Sequence, residues 1–203
     1  MKIDAKTMQW TRAPKKFNIS ADRVEFYTQP RTDLWQRTYY HFRNDNAPVL
    51  QLETEEKYFS FIVKAECESK HRYDQCGLAM YLDSENWLKA AMEYENESIQ
   101  RLGCVVTNNG YSDWSSTDFD AAVKTMWFRL SRRGNDFCVE NSLDGVHFSQ
   151  MRIFHMFHAD GAVRVGIFAC SSEDSSFRAA FSEMQLTDCQ WPAHDGQPPD
   201  EEI

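Results

Sequence analysis

The sequence predicts an all-β fold, a sandwich of two antiparallel sheets. Three observations carry that reading. Apolar residues recur at every second position in short runs, the period of a half-buried strand. Turn-forming residues separate the runs. Roughly ten such runs fit into the chain, as in sandwiches and barrels.

Taken in order, Phe59, Phe61, Val63 and Ala65 share one face of the first run, Tyr58 to Ala65. Leu78, Met80 and Leu82 alternate with Ala79 and Tyr81. Leu88, Ala90, Met92 and Tyr94 alternate with Trp87, Lys89, Ala91, Glu93 and Glu95. The stretch from Trp87 to Gln100 is rich in helix-forming Ala, Glu and Met, but its charges alternate, which favours strand. Leu102, Cys104 and Val106 form the next row, and Met126, Phe128 and Leu130 alternate with Trp127, Arg129 and Ser131. Phe137, Val139 and Asn141 follow, then Val163, Val165, Ile167 and Ala169, then Phe177, Ala179 and Phe181. Asp83 to Asn86, Asn108 to Gly110, Arg133 to Asp136 and Asp160-Gly161 supply turn chemistry. Asp144-Gly145 predicts a tight hairpin. The Ser- and Asp-rich stretch from Gly110 to Asp118 reads as a loop.

The chain has 203 residues, 42% hydrophobic and 14% aromatic, enough to fill a sandwich core. Residues 1–191 are expected to form one β-sandwich domain. The Pro-rich, acidic tail, 192–203, is expected to be disordered. A net charge of −9 argues against nucleic acid or an anionic membrane as partner. No apolar run is long enough to span a bilayer, and the polar start, Met1 to Lys16, does not read as a secretory signal. The six cysteines show no zinc-type spacing and read as reduced core thiols in a cytoplasmic protein. His155 and His158 lack a third ligand. With no phosphate loop, dinucleotide fingerprint or nucleophile elbow, no metal or other cofactor is expected.

Candidate function lies on the outer faces of the strands. Trp87, Lys89, Glu93 and Glu95 share the side opposite Leu88, Ala90 and Met92. A tryptophan among charges suits a saccharide, with the ring stacking and the charged ends bonding hydroxyls. If their strands are neighbours, Arg129, Trp127 and Tyr81 extend that floor. Asp74 and Gln75 either reach the groove or tie down a loop. Asp113 and Trp114 stand in the Ser/Asp-rich stretch, with Trp114 either a ligand contact or a plug over the sandwich end. Asp33 and Trp35 either join the groove or pack an edge. The expected ligand-binding set is Asp74, Gln75, Trp87, Lys89, Glu93, Asp113, Trp114 and Arg129. No catalytic residue is assigned. The alternative is a glycoside hydrolase or lyase using Glu93 and Glu95, whose Cα atoms on a strand would lie roughly 6.5–7 Å apart, a spacing that permits paired-carboxylate chemistry.

Several segments together resemble a known family. They are Thr32-Asp33-Leu34-Trp35-Gln36-Arg37-Thr38-Tyr39-Tyr40, Tyr73-Asp74-Gln75-Cys76-Gly77-Leu78, Asn86-Trp87-Leu88-Lys89 with Glu93, and Asn108-Asn109-Gly110-Tyr111-Ser112-Asp113-Trp114-Ser115. Arg129, Asp144-Gly145 and Arg152 follow in the same order. The series is similar to the concanavalin A-like family of unknown function that includes the fungal regulation-of-enolase protein. The resemblance implies a jelly-roll sandwich, a cytoplasmic location and a link to enolase regulation. It implies no established catalytic residue. The expected partners are a saccharide or other small polar ligand, and enolase or another glycolytic protein.

Overall fold

The computed structural model describes residues 1–196. Among them a short 3-10 turn, Ala5–Thr7, precedes sixteen strands. These are β1 (Gln9–Trp10), β2 (Phe17–Ile19), β3 (Arg23–Tyr27), β4 (Leu34–Gln36), β5 (Arg43–Asp45), β6 (Val49–Thr54), β7 (Tyr58–Cys67) and β8 (Asp74–Asp83). They continue with β9 (Asn86–Tyr94), β10 (Ile99–Asn108), β11 (Tyr111–Asp120), β12 (Thr125–Arg133), β13 (Asp136–Ser142), β14 (Ser149–His155), β15 (Val163–Ser171) and β16 (Arg178–Asp188). A front sheet has the order β1-β6-β15-β8-β9-β10-β11, and a back sheet the order β14-β13-β12-β7-β16-β3-β2. β4 and β5 form a separate two-stranded ribbon. The strand pairs are antiparallel throughout. The two large sheets make the antiparallel sandwich that the alternation predicts, of the concanavalin A-like jelly-roll type that the resemblance implies.

The main core lies between the sheets. The rows Phe59-Phe61-Val63-Ala65, Leu88-Ala90-Met92, Met126-Phe128-Leu130 and Val163-Val165-Ile167-Ala169 all turn inward to it. Tyr94 does not join them. It is half-buried, with the Lys124 ammonium 5.4 Å from its ring centre.

A second, smaller core lies on the outer face of the front sheet. Leu34, Ala47 and Val49 pack there against Ala79, Tyr81, Trp87, Ala91, Val105, Phe168 and Cys170, with Trp35 at the edge. The cover is the segment from Leu34 to Val49, including the β4–β5 ribbon.

Two local expectations are corrected. The connection at Asp144-Gly145 is a wide loop, 143–148, because the Asp144 carboxylate accepts from the Val146 and His147 N–H groups at 2.8 Å each. The tight hairpin is instead at Asn109-Gly110, where φ values of 49° and 75° suit a two-residue turn between β10 and β11. The stretch expected to be a loop after Gly110 is β11, the front sheet's edge strand. Its polar side chains reflect exposure, since an edge strand needs no apolar outer face. Of the expected disordered tail, residues 197–203 lie outside the described residues, and 192–196 hold neither strand nor helix. Among the described residues, no helix is long and apolar enough to cross a membrane.

Cys104, Cys138 and Cys170 are free and buried as expected, but two other cysteines depart from expectation. Cys67 and Cys76 form a disulfide, with Cα atoms 6.2 Å apart. β7 and β8 are consecutive strands in opposite sheets, so their facing ends meet across a short corner. A separation of nine residues carries no spacing signal, which is why sequence alone leaves the pair unrecognised. Closing a loop of this size contributes about 2–3 kcal/mol. Denaturation and alkylation of the purified protein without reductant should therefore leave Cys67 and Cys76 unlabelled. Urea unfolding with reductant should show a loss of about that size.

Candidate functional site

The front sheet's outer face is organised in rows across four strands. One row is Gln75, Glu93, Arg101 and Asp118, and another is Ala79, Lys89, Val105 and Trp114. Between them runs a row of small residues, Gly77, Ala91, Gly103 and Ser116. A Cβ on Gly103 would lie 2.9 Å from the Trp114 indole nitrogen, so the missing side chain lets this ring lie close over the sheet.

These rows floor a cleft of about 1500 Å³. One wall comes from the chain between β4 and β5. Gln36 donates its backbone N–H to Ser112 Oγ (2.9 Å) and its amide to the Ser84 carbonyl (2.8 Å). Arg37 grips both Glu85 oxygens (2.6 and 3.1 Å) and the Gly110 carbonyl (2.7 Å). Between these anchors Arg37, Tyr39 and His41 adopt φ values of 56°, 76° and 59°, a conformation that costs a non-glycine residue about 1–2 kcal/mol. The result is an aromatic ladder: Tyr40 stacks on Trp35 (6.0 Å) and on Phe42 (5.7 Å). The Trp35 indole N–H lies buried at the cleft wall without a partner among the described residues.

The opposite side is built from ion pairs. Arg72 pairs with Glu95 (2.8 Å), its guanidinium 4.6 Å from the Tyr73 ring centre. Arg101 pairs with Asp118. At the open edge, Arg152 of β14 pairs with Asp113 (2.7 Å) and donates to the Asp113 carbonyl and Ser115 Oγ.

Two floor residues define the electrostatics. Lys89 is 4% exposed, and its ammonium sits 2.8 Å from Asp33. Asp33 also accepts from Ser172 Oγ at 3.0 Å. Burial alone would lower the Lys89 pKa, but Asp33, Cys170 and Glu93 together raise it above its ordinary value. Glu93, two pleats away on the same face, makes no ion pair or side-chain hydrogen bond among the described residues. Burial pushes its pKa up to about 7, with Asp33 and Glu95 adding to the rise and Lys89 and Arg101 opposing it. The Tyr40 phenol is held above its usual range, by burial first and then by Asp33.

Of the expected ligand-binding residues, Gln75, Lys89, Glu93, Asp113 and Trp114 line the cleft. Trp114 is 47% exposed, so it is no plug. Three others do not line it. Trp87 is fully buried in the second core, its N–H on the Ser84 carbonyl at 3.3 Å. An indole buries on the order of 200 Å², worth about 5 kcal/mol, so the covered position wins over an open one. Arg129 lies in the back sheet, where Glu140 takes it at 2.6 and 2.7 Å. Trp127 is there too, bonded to Glu183. Asp74 has the inward parity of Cys76 and binds the Lys70 and His71 N–H groups and Ser175 Oγ. Tyr81 belongs to the second core and donates to Asp45. Glu95 reaches the cleft, already paired with Arg72. His155 and His158 bond Asp136 and Asn109.

A family model described as a protein of unknown function (DUF1349) matches residues 10–189. The chain belongs to this family. The DUF1349 chain is 30% identical over 178 residues to Regulation of enolase protein 1 of Saccharomyces cerevisiae, covering 88% of each chain. It is similar to the crystal structure of a functionally unknown protein from Saccharomyces cerevisiae, with a TM-score of 0.84 and 28% identity, covering 91% of this chain and 98% of the other. At fold level it also resembles the carbohydrate binding module CBM66 from Bacillus subtilis, with a TM-score of 0.56 and 12% identity, covering 90% and 98%.

In this DUF1349 chain, sequence reasoning missed Tyr40, Phe42, Arg72, Tyr73, Arg101 and Arg152 as cleft residues. The one available signal was Tyr39-Tyr40-His41-Phe42, a dense aromatic cluster in a segment without strand alternation. Asp33 and Trp35, left between groove and edge, both line the cleft.

Proposed function

We propose that this protein is a non-catalytic binding protein whose cleft accepts a saccharide-like ligand, and that it acts in the regulation of enolase. The observation that carries the first part is the cleft itself. Its floor presents Gln75, Lys89 and Glu93, and aromatic faces from Trp35, Tyr40 and Trp114 stand around them. Flat apolar walls with a few placed polar groups are the general form of a small-ligand site. The fold-level likeness to a carbohydrate binding module supports the same class. The second part rests on the name of the yeast relative. We place the function in the cytoplasm, as the family resemblance implies; a Cys67–Cys76 disulfide that persists in the cell would argue for an oxidising compartment instead.

One observation favours a second, catalytic reading: Glu93 titrates near neutrality, while Glu95 is paired with Arg72. Divergent environments for two carboxyl groups are what separates an acid from its partner in glycoside hydrolysis.

Titration of mono- and oligosaccharides against intrinsic tryptophan fluorescence tests both. Binding should quench or shift emission, and Trp114→Ala should weaken it roughly tenfold, a loss of about 1.4 kcal/mol. Silence across the panel would overturn the binding reading. Turnover of chromogenic glycosides, lost in Glu93→Gln, would replace it with the catalytic one.

A further inference from the structure

We propose that the cleft selects an amino sugar, seating the ligand's protonated amine on the Glu93 carboxylate. This rests on the saccharide reading above and narrows it to a class. Four Lys and Arg side chains line the cleft, and each already holds a carboxylate. Lys89 is on Asp33, Arg72 on Glu95, Arg152 on Asp113 and Arg101 on Asp118. No cation among them remains for a phosphate or carboxylate on the ligand. Glu93 is the reverse case, a floor carboxyl without an ion pair or side-chain hydrogen bond among the described residues. Exposed Glu173 adds another negative group at the mouth.

The groups facing Glu93 come from every neighbouring element. β8 contributes the neutral amide of Gln75 beside it, and β10 contributes Arg101 on its other side. Its own strand and the residue just beyond contribute Lys89 and Glu95, and the covering segment contributes Asp33. The Tyr40 phenol feels the charges of Asp33, Lys89, Tyr73 and Glu93. With the cations committed, the half-buried carboxyl of the free protein holds its proton more readily than an ordinary glutamate does. An ammonium replaces that proton with a charge-assisted hydrogen bond, and the nearby aromatic faces favour a cation further. The Gln75 amide is left for the sugar hydroxyls.

The sign of the pH effect follows. Below the Glu93 pKa the proton competes with the amine, so affinity rises as pH climbs toward neutrality. Between about pH 5.5 and about pH 7 the ionised fraction grows about fifteenfold, while the ligand amine stays largely protonated.

Calorimetric titration of D-glucosamine, D-glucose, glucose 6-phosphate and n-butylamine at these two pH values tests the proposal. Glucosamine is expected to bind about tenfold tighter than glucose near pH 7 and to lose most of that advantage near pH 5.5. Glucose 6-phosphate and n-butylamine are expected to bind more weakly than glucosamine. Glu93→Gln should bring glucosamine down to the affinity of glucose and abolish its pH dependence. Equal binding of glucose and glucosamine near pH 7 would overturn the amino-sugar proposal while leaving the saccharide reading intact. So would a preference that survives Glu93→Gln, or n-butylamine matching glucosamine. Silence from every sugar would overturn both.

Discussion

Gly77→Ala is expected to prevent stable folding, with a loss of more than about 3 kcal/mol. A Cβ at this position would lie 2.0 Å from the Ala90 carbonyl oxygen and 2.9 Å from the Ala91 Cα. Both atoms belong to the backbone of β9, so no side-chain rotation relieves the overlap. Relief would require the two central strands of the front sheet to part, which would break their hydrogen-bond ladder and disturb the main core beneath. Circular dichroism and urea unfolding would measure the loss. Gly161→Ala is the control, because nothing lies within 4 Å of its added methyl, and a change within about 0.5 kcal/mol is expected there. A Gly77→Ala protein as stable as the parent would show that β8 and β9 do not approach this closely.

Arg132→Met should cost about 3–5 kcal/mol. Arg132 follows Met126, Phe128 and Leu130 on the inward side of β12, and it is fully buried. Its charge is met by backbone carbonyls. Nε donates to Gly134 (2.7 Å), Nη1 to Glu56 (3.1 Å), and Nη2 to Ala159 and to Gly161 (3.1 Å). Burial lowers its pKa, with Asp160 opposing at longer range. Methionine preserves much of the volume but no donor. Each abandoned buried carbonyl then carries a desolvation cost, and the segment from Ala159 to Gly161 loses its tether. Arg132→Lys should recover only part of the stability, since an ammonium cannot reproduce the planar fork. A loss under about 1 kcal/mol for Arg132→Met, by urea unfolding, would exclude this tethering role.

The sandwich was legible because the strand period is two. Phe59-Phe61-Val63 and Leu88-Ala90-Met92 each announce an inner face, and their partners face the same core. The same rule separates Asp74 from Gln75, as neighbours on a strand cannot share a face. Alternation gives parity, however, and not sheet membership. Lys89 and Arg129 both read as outward residues, yet they stand on opposite outer surfaces of the molecule. Nor does it show what covers an outer face. Trp87 looked open to ligand because the covering segment folds through Arg37, Tyr39 and His41 in left-handed conformations that their residue types do not advertise. The cleft's ion pairs were hidden for a related reason. Asp33 and Lys89 are 56 positions apart in sequence and meet only when that segment crosses the sheet.

The second core gives the front sheet a division of labour that bears on how such a protein diversifies. Its strands send alternate side chains into two separate apolar interiors. Substitutions at outward positions such as 75, 93 or 105 leave the inward row of the same strand in place. Effects at sites that share no partners are close to additive. The crossing segment can therefore lengthen, shorten or exchange its aromatics, and the cleft can be re-cut for another ligand, while the sandwich interior stays under its own independent constraint.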